Sequence, residues 1–174
     1  MARMKTSNFY WKKQLSENLK NPAHKPDRRI AIVGIGSELH GDDAVGIEAA
    51  RALIAGGAKR ENLLVLEGST LPESVSGQLR RFIPDLVIFI DAMDAGVKPG
   101  SILLVNPEQI GGASFSTHSL PLPILIKFIN RDLKCETIII GVQPESIEFG
   151  ETLSMSNRKA IFRLTKELSR LCLN

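Results

Sequence analysis

The sequence predicts a three-layer α/β/α sandwich on a five-stranded, mostly parallel sheet whose fourth strand runs antiparallel. Three observations predict it. Strand-like and helix-like stretches alternate from residue 29 onward, the pattern of successive βα units. The strand stretches include unbroken apolar runs such as Leu86–Ile90, which lack the polar alternation of a sheet with one wet face and so are covered on both sides. The Lys98-Pro99-Gly100 connection leaves no room for a helix before the next strand, so that strand reverses direction.

Each element has its own warrant. Arg29–Ile35 is the first strand, followed by the turn Gly34-Ile35-Gly36-Ser37 and a helix from Asp43 to Ile54 with Ile47, Ala50 and Ile54 on one face. Gly56-Gly57 ends that helix, and Leu63–Leu66 is the second strand. Pro72 suits a first helical turn, Val75, Leu79 and Phe82 supply the apolar stripe, and Pro84 stops the helix. Leu86–Ile90 is the third strand and Ser101–Val105 the fourth. Residues 106–119 read as a loop, with Pro107, Gly111 and Gly112 among hydroxyl side chains. A helix opening near Pro121 buries Leu122, Leu125, Ile126 and Ile129; Thr137–Val142 is the fifth strand; Asn157–Leu171 is a closing helix.

The chain has 174 residues, 43% hydrophobic and 24% charged, which fits one globular domain and excludes collagen-like and disordered classes. No apolar run reaches the ~18 residues of a membrane span, and no uninterrupted h-region marks a signal peptide. Cys135 and Cys172 stand far apart without further Cys or His at ligand spacing, which excludes a zinc ribbon and suits free thiols in a reducing cytoplasm. The net charge of +3 conceals an asymmetry: residues 1–29 carry +6 and the remainder −3. A basic tail on a mildly acidic body is not a nucleic-acid-binding domain. Residues 1–28 are therefore read as a basic extension and 29–174 as the domain. Within the extension, Trp11, Leu15 and Leu19 stand at helical spacing. Such a stripe either docks on the body or frays; as a basic amphipathic helix it would meet a partner or a membrane surface.

In a mostly parallel sheet, chemistry collects beyond the carboxyl ends of the strands where strand order reverses. Asp42 and Asp43 follow the first strand, Glu67 ends the second, Asp91 ends the third, and His118 precedes a helix that starts at the same edge. Carboxylates with an imidazole suit a divalent first-row metal. Each residue also has a plainer use: Asp42 or Asp43 as a helix cap, Asp91 in an Asx turn, His118 as a surface residue. His40 and His24 are weaker candidates. Their shared edge favours a site, since isolated caps have no reason to gather there. Gly34-x-Gly36 with Glu67 matches half of a dinucleotide fingerprint, but Leu39 replaces the third glycine, and the aspartates would repel a pyrophosphate at the helix start. No G-x-S-x-G elbow is present.

With these residues in place, the sequence resembles the hydrogenase maturation endopeptidases. The matching stretches are Gly34-Ile35-Gly36-Ser37, Gly41-Asp42-Asp43-Ala44-Val45-Gly46, Asp91, Lys98-Pro99-Gly100, Thr117-His118-Ser119-Leu120-Pro121 and Gly141-Val142-Gln143-Pro144-Glu145. The last two look closest to the branch serving formate-hydrogenlyase-type hydrogenases. Ser37 stands where Asn is usual, and Glu67-Gly68-Ser69 where Asp-Gly-Gly is usual. The resemblance implies an endopeptidase, grouped with aspartic-type peptidases, that trims the C-terminal extension of the [NiFe]-hydrogenase large-subunit precursor. It implies Asp43, Asp91 and His118 as contacts to nickel carried by that precursor. Peptide hydrolysis also needs an activated water, and a carboxylate not held by the metal, Asp42 or Glu67, would then act as general base. Other hydrogenase maturation factors would be further partners. A non-catalytic, nickel-binding assembly factor is the competing expectation, since it would use the same edge.

Overall fold

The computed structural model describes residues 10–20, 27–68, 72–105, 114–115 and 122–172. Its sheet is built from β1 (Ile30–Gly34), β2 (Leu63–Glu67), β3 (Leu86–Asp94), β4 (Ile102–Val105), β5 (Ser114–Phe115) and β6 (Glu136–Val142). The five longer strands lie in the order β2-β1-β3-β6-β4, and β5 pairs antiparallel with the end of β3. The β1–β2, β1–β3 and β3–β6 pairs are parallel. β4 is antiparallel, as the short Lys98-Pro99-Gly100 connection requires, and its partner is β6 rather than β3.

Helices α1 (Tyr10–Leu19), α2 (Val45–Ala55) and α5 (Met155–Cys172) cover one face, and α3 (Pro72–Phe82) and α4 (Leu122–Leu133) the other. The period-2 geometry of a strand divides β3 between these layers. Leu86, Ile88 and Ile90 pack with Val45, Leu53, Leu164 and Leu168. Val87, Phe89 and Met93 pack with Val75, Leu79, Ile126 and Ile129. Burying a large apolar side chain of this kind contributes roughly 1.5–3 kcal/mol, so a central strand buried on both faces anchors both layers.

Three expectations are revised and one open alternative is decided. β3 does not end at Ile90: it runs to Asp94, because Asp91 and Ala92 keep pairing with Gly141 and Val142, and Met93 and Asp94 pair with Phe115 and Ser114. Asp91 is therefore inside the strand. The stretch expected as a loop contains β5. A 3-10 turn at Gly41–Ala44 precedes α2, which starts at Val45 instead of Asp43. Finally, the Trp11–Leu15–Leu19 stripe docks on the body, with Trp11 and Leu15 buried in the layer of α2 and α5. Arg28 strengthens that attachment: it is buried, donates to Asn18 O at 3.2 Å and pairs with Glu136 Oε2 at 2.5 Å. Residue 29 thus marks where the sheet begins, while the core includes α1.

Candidate active site at the switch point of the sheet

Strand order reverses between β1 and β3, since β2 lies to one side of β1 and β6 to the other side of β3. The crevice such a reversal opens lies at the carboxyl ends of these two strands. The loop leaving β1 hugs β3, with Ile35 N–H donating to Ile90 O at 2.8 Å. Two glycines allow the next segment to fold directly over this edge. A Cβ on Gly46 would lie 2.1 Å from Ile90 O and 2.2 Å from Ile35 O. Gly36 has φ +137°, and a Cβ there would lie 1.7 Å from Asp43 O. These close approaches fix the 3-10 turn, and with it Asp42 and Asp43, over the end of β3. The Gly34-x-Gly36 pattern thus seats a turn against strand ends.

Asp42 and Asp43 are each 1% exposed and Asp91 is fully buried. Asp91 falls on the same strand face as Val87, Phe89 and Met93, at the register position facing Gly141. Its Oδ1 accepts from the adjacent Ala92 N–H at 2.8 Å, not from the N–H two residues on that an Asx turn would use. Its Oδ2 has no hydrogen-bond partner among the described residues. Desolvation, then the nearby Asp43 charge, pushes the Asp91 carboxyl well above its ordinary range, only partly opposed by the Ala92 bond. A buried carboxylate beside a second one is costly unless something compensates it, and a divalent cation on their oxygens would do so. Carboxylate oxygens suit a hard cation, and among the described residues no group of three or more Asp, Glu, His or Cys is placed to hold a metal ion.

Helix capping is not the role of Asp42. Neither N-cap residue, His40 of the 3-10 turn nor Ala44 of α2, makes a side-chain cap bond. Asp42 instead accepts from Glu145 N at 2.7 Å, Ser154 N at 2.7 Å, Ser154 Oγ at 2.8 Å and Asn157 Nδ2 at 2.7 Å. It fastens the 145–157 segment and the start of α5 to the turn that carries Asp43. Glu67 does stand at the end of β2, but it is exposed and bonded to Arg51 Nε at 2.9 Å. Arg51 also pairs with Glu38 and Glu48, and this cluster holds its guanidinium firmly protonated while the Arg51 bond draws Glu38 below the usual carboxylate range. The edge therefore brings Asp43 and Asp91 together, uses Asp42 as an anchor, and leaves Glu67 in a surface ion-pair group. His118 and the Thr117–Pro121 stretch lie outside the described residues. His40, near the turn, has Nδ1 3.0 Å from Ser37 Oγ and packs edge-on against Phe149.

Sequence reasoning quoted Gln143 only within the Gly141–Glu145 stretch, without a role, and did not single out Ser154 or Asn157. Gln143 Oε1 accepts from Ala95 N–H and Val97 N–H at 2.9 and 3.2 Å, while its backbone pairs with Gly100 and Ser101. The Lys98-Pro99-Gly100 and Gly141–Glu145 stretches are thus one structural unit. The signal was present in their both being polar segments flanking β4 and β6, but only the β4–β6 pairing reveals that they meet.

The chain is an α/β/α sandwich with three buried carboxylates, Asp42, Asp43 and Asp91, at its switch point, and the comparisons say which family builds this arrangement. The family described as hydrogenase maturation protease, HycI type, matches residues 47–170. A Methanocaldococcus jannaschii protein assigned as a hydrogenase maturation protease is 32% identical over 169 residues, covering 92% of this chain and 97% of that protein. The hydrogenase 3 maturation protease of Escherichia coli strain K12 is 30% identical over 131 residues, 75% of this chain and 82% of that protein. The crystal structure of the [NiFe] hydrogenase maturation protease HycI from Thermococcus kodakarensis KOD1 superposes with TM-score 0.80 at 32% identity, covering 92% of this chain and 99% of that one. The chain belongs to the HycI-type hydrogenase maturation protease family. Among the described residues, no helix is long and apolar enough to cross a membrane.

Proposed function

We propose that this protease removes the C-terminal extension of a [NiFe]-hydrogenase large-subunit precursor already loaded with nickel, and that it acts in the cytoplasm, alongside other hydrogenase maturation factors. The observation that carries the reading is Asp91: fully buried, one oxygen unpartnered among the described residues, beside Asp43. Family membership supplies the peptidase activity, and the aspartate pair supplies a reason for the substrate's metal.

In this reading nickel is part of the substrate. Asp43, Asp91 and His118 contact it while other coordination positions stay with the precursor. Contact between an ionised Asp91 and the cation would oppose the upward shift that burial and the Asp43 charge impose on this carboxyl. The metal polarises the scissile carbonyl or the attacking water, and hydrolysis further needs donors aimed at the developing oxyanion. Asp42, its oxygens engaged by four donors, positions Asp43 rather than serving as the base. Glu67 would serve as base only after leaving Arg51. The aspartic-type grouping then describes which residues act, with the nickel-dependence arising from substrate recognition.

The test is to mix the protein with nickel-loaded and nickel-free precursor and to weigh the precursor by mass spectrometry. A C-terminal mass loss confined to the nickel-loaded form is expected. Tight association without mass loss in either form would instead establish a nickel-binding assembly factor.

A further inference from the structure

We propose that a groove between α5 and the turn preceding β4 docks a peptide segment of a partner protein that combines acidic and large apolar side chains. The groove has a volume of about 910 Å³ and is walled by Lys98–Ser101 on one side and the first half of α5 on the other. Met155 and Phe162 line it and are 65% and 69% exposed. Seven residues apart, they lie two helical turns apart on one face. Exposed aromatic and thioether side chains in a concave surface mark an interaction site.

Four cations, Lys98, Arg158, Lys159 and Arg163, surround these two side chains. Lys98, Arg158 and Lys159 form no ion pair with a described residue. Arg163 Nη2 donates to Gly100 O at 2.8 Å and so ties the two walls together. A carboxylate does bond to a wall residue: Glu145 accepts from Ser156 Oγ at 2.7 Å. Residues beyond 29 carry a net −3, so this positive cluster stands against the charge of the body and selects an acidic partner. The walls are held before any ligand arrives: Gly100 N–H donates to Gln143 O, and Gln143 N–H to Ser101 O, both at 2.9 Å. A concave floor admits a side chain from an extended peptide, whereas a flat membrane surface would meet only the rim. Because Ser154 and Asn157 bind Asp42, the groove and the aspartate crevice belong to one rigid assembly. The inference goes beyond the proteolytic reading and does not require cleavage.

Fluorescence anisotropy tests it, with the full chain and a short labelled peptide alternating glutamate and leucine. Saturable binding is expected, weakening as salt is added and absent for the peptide with lysine in place of glutamate. Lys98→Glu with Lys159→Glu should weaken binding about tenfold or more, and Phe162→Ser should also weaken it. Lys12→Glu with Lys13→Glu, on α1, should leave it unchanged. All these side chains are at the surface, so melting temperatures report that each variant is folded. Binding unaffected by the groove variants, or no saturable binding, would overturn the proposal. So would duplex DNA or phosphatidylglycerol vesicles competing as well as the peptide does. Loss of the proteolytic reading alone would leave these anisotropy results untouched.

Discussion

Asp42 and Asp43 are neighbours with different duties, and the difference can be measured. Asp42→Ala leaves four donors from Glu145, Ser154 and Asn157 without their acceptor. Losing hydrogen bonds to a buried charge should cost about 3 kcal/mol, a fall in melting temperature of roughly 6–12 °C for a chain of this size. Asp43→Asn keeps the shape, and asparagine caps a helix about as well as aspartate. Its melting temperature should stay within a few degrees, while precursor processing should fall at least about 10–100-fold if Asp43 contacts the substrate's nickel, since even the groups behind a metal ligand cost that much. Normal processing by this variant at limiting enzyme would remove Asp43 from the site. Asp91 gives a pH signature. Its folded value is raised well above the ordinary 3.8, so between those two values the folded chain holds a proton that the unfolded chain has lost. Stability therefore falls as pH rises through that window. Asp91→Asn has no such proton, so it should lose that slope and melt higher than the parent at neutral pH, while losing activity. Melts recorded from mildly acidic to neutral pH decide the matter; identical slopes would show that Asp91 is not the titrating group.

At the scale of elements, the joint between the 3-10 turn, α2 and the strand ends depends on the absence of a side chain at Gly46. Gly46→Ala would place a methyl 2.1 Å from Ile90 O, and since both neighbours are backbone, α2 must shift. Overpacking of this kind costs about 1–3 kcal/mol, or roughly 2–12 °C in melting temperature, and it should lower processing as well because the turn carrying Asp43 moves. A variant that melts and cleaves like the parent would show that the joint is softer than its geometry. The elements themselves were legible because their apolar periods are strong: β1, β2, the first half of β3, β6 and helices α3 to α5 appear where the pattern places them, and α2 begins two residues later than expected. The extension of β3 was not, since Asp91 and Asp94 interrupt the apolar run and the pairing that sustains it comes from Gly141, Val142, Ser114 and Phe115. The site was half legible. A shared edge for Asp43 and Asp91 follows from strand order, but the diversion of Asp42 to donors more than a hundred residues away, and of Glu67 to Arg51, depends on tertiary contacts that no local spacing encodes.

For the whole molecule, the open matter of physics is whether the basic N-terminal segment is an appendage or a part of the cooperative unit. Charge separates it from the body, but packing does not: Trp11 and Leu15 are buried with Ile102, Leu164 and Leu168, and Arg28 joins the end of α1 to the start of β6. Truncating a large buried aromatic costs about 3–5 kcal/mol, so Trp11→Ala should lower the melting temperature by roughly 6–20 °C. Trp11→Phe should cost less, because the indole Nε1 has no hydrogen-bond partner among the described residues and its loss forfeits mainly volume. Deleting residues 1–28 uncovers the same apolar surface on β4 and α5 and removes Arg28 as well, so the truncated chain should melt far below the parent or lose its cooperative transition. Trp11 is the single tryptophan in the chain, which makes intrinsic fluorescence a reporter of α1 alone, while far-ultraviolet circular dichroism reports the helices and sheet together. If α1 belongs to the core, the two signals should share one midpoint, as coincident probes do in an all-or-none transition. A tryptophan signal that melts well before the circular dichroism, together with a truncated chain as stable as the parent, would return α1 to the status of an appendage.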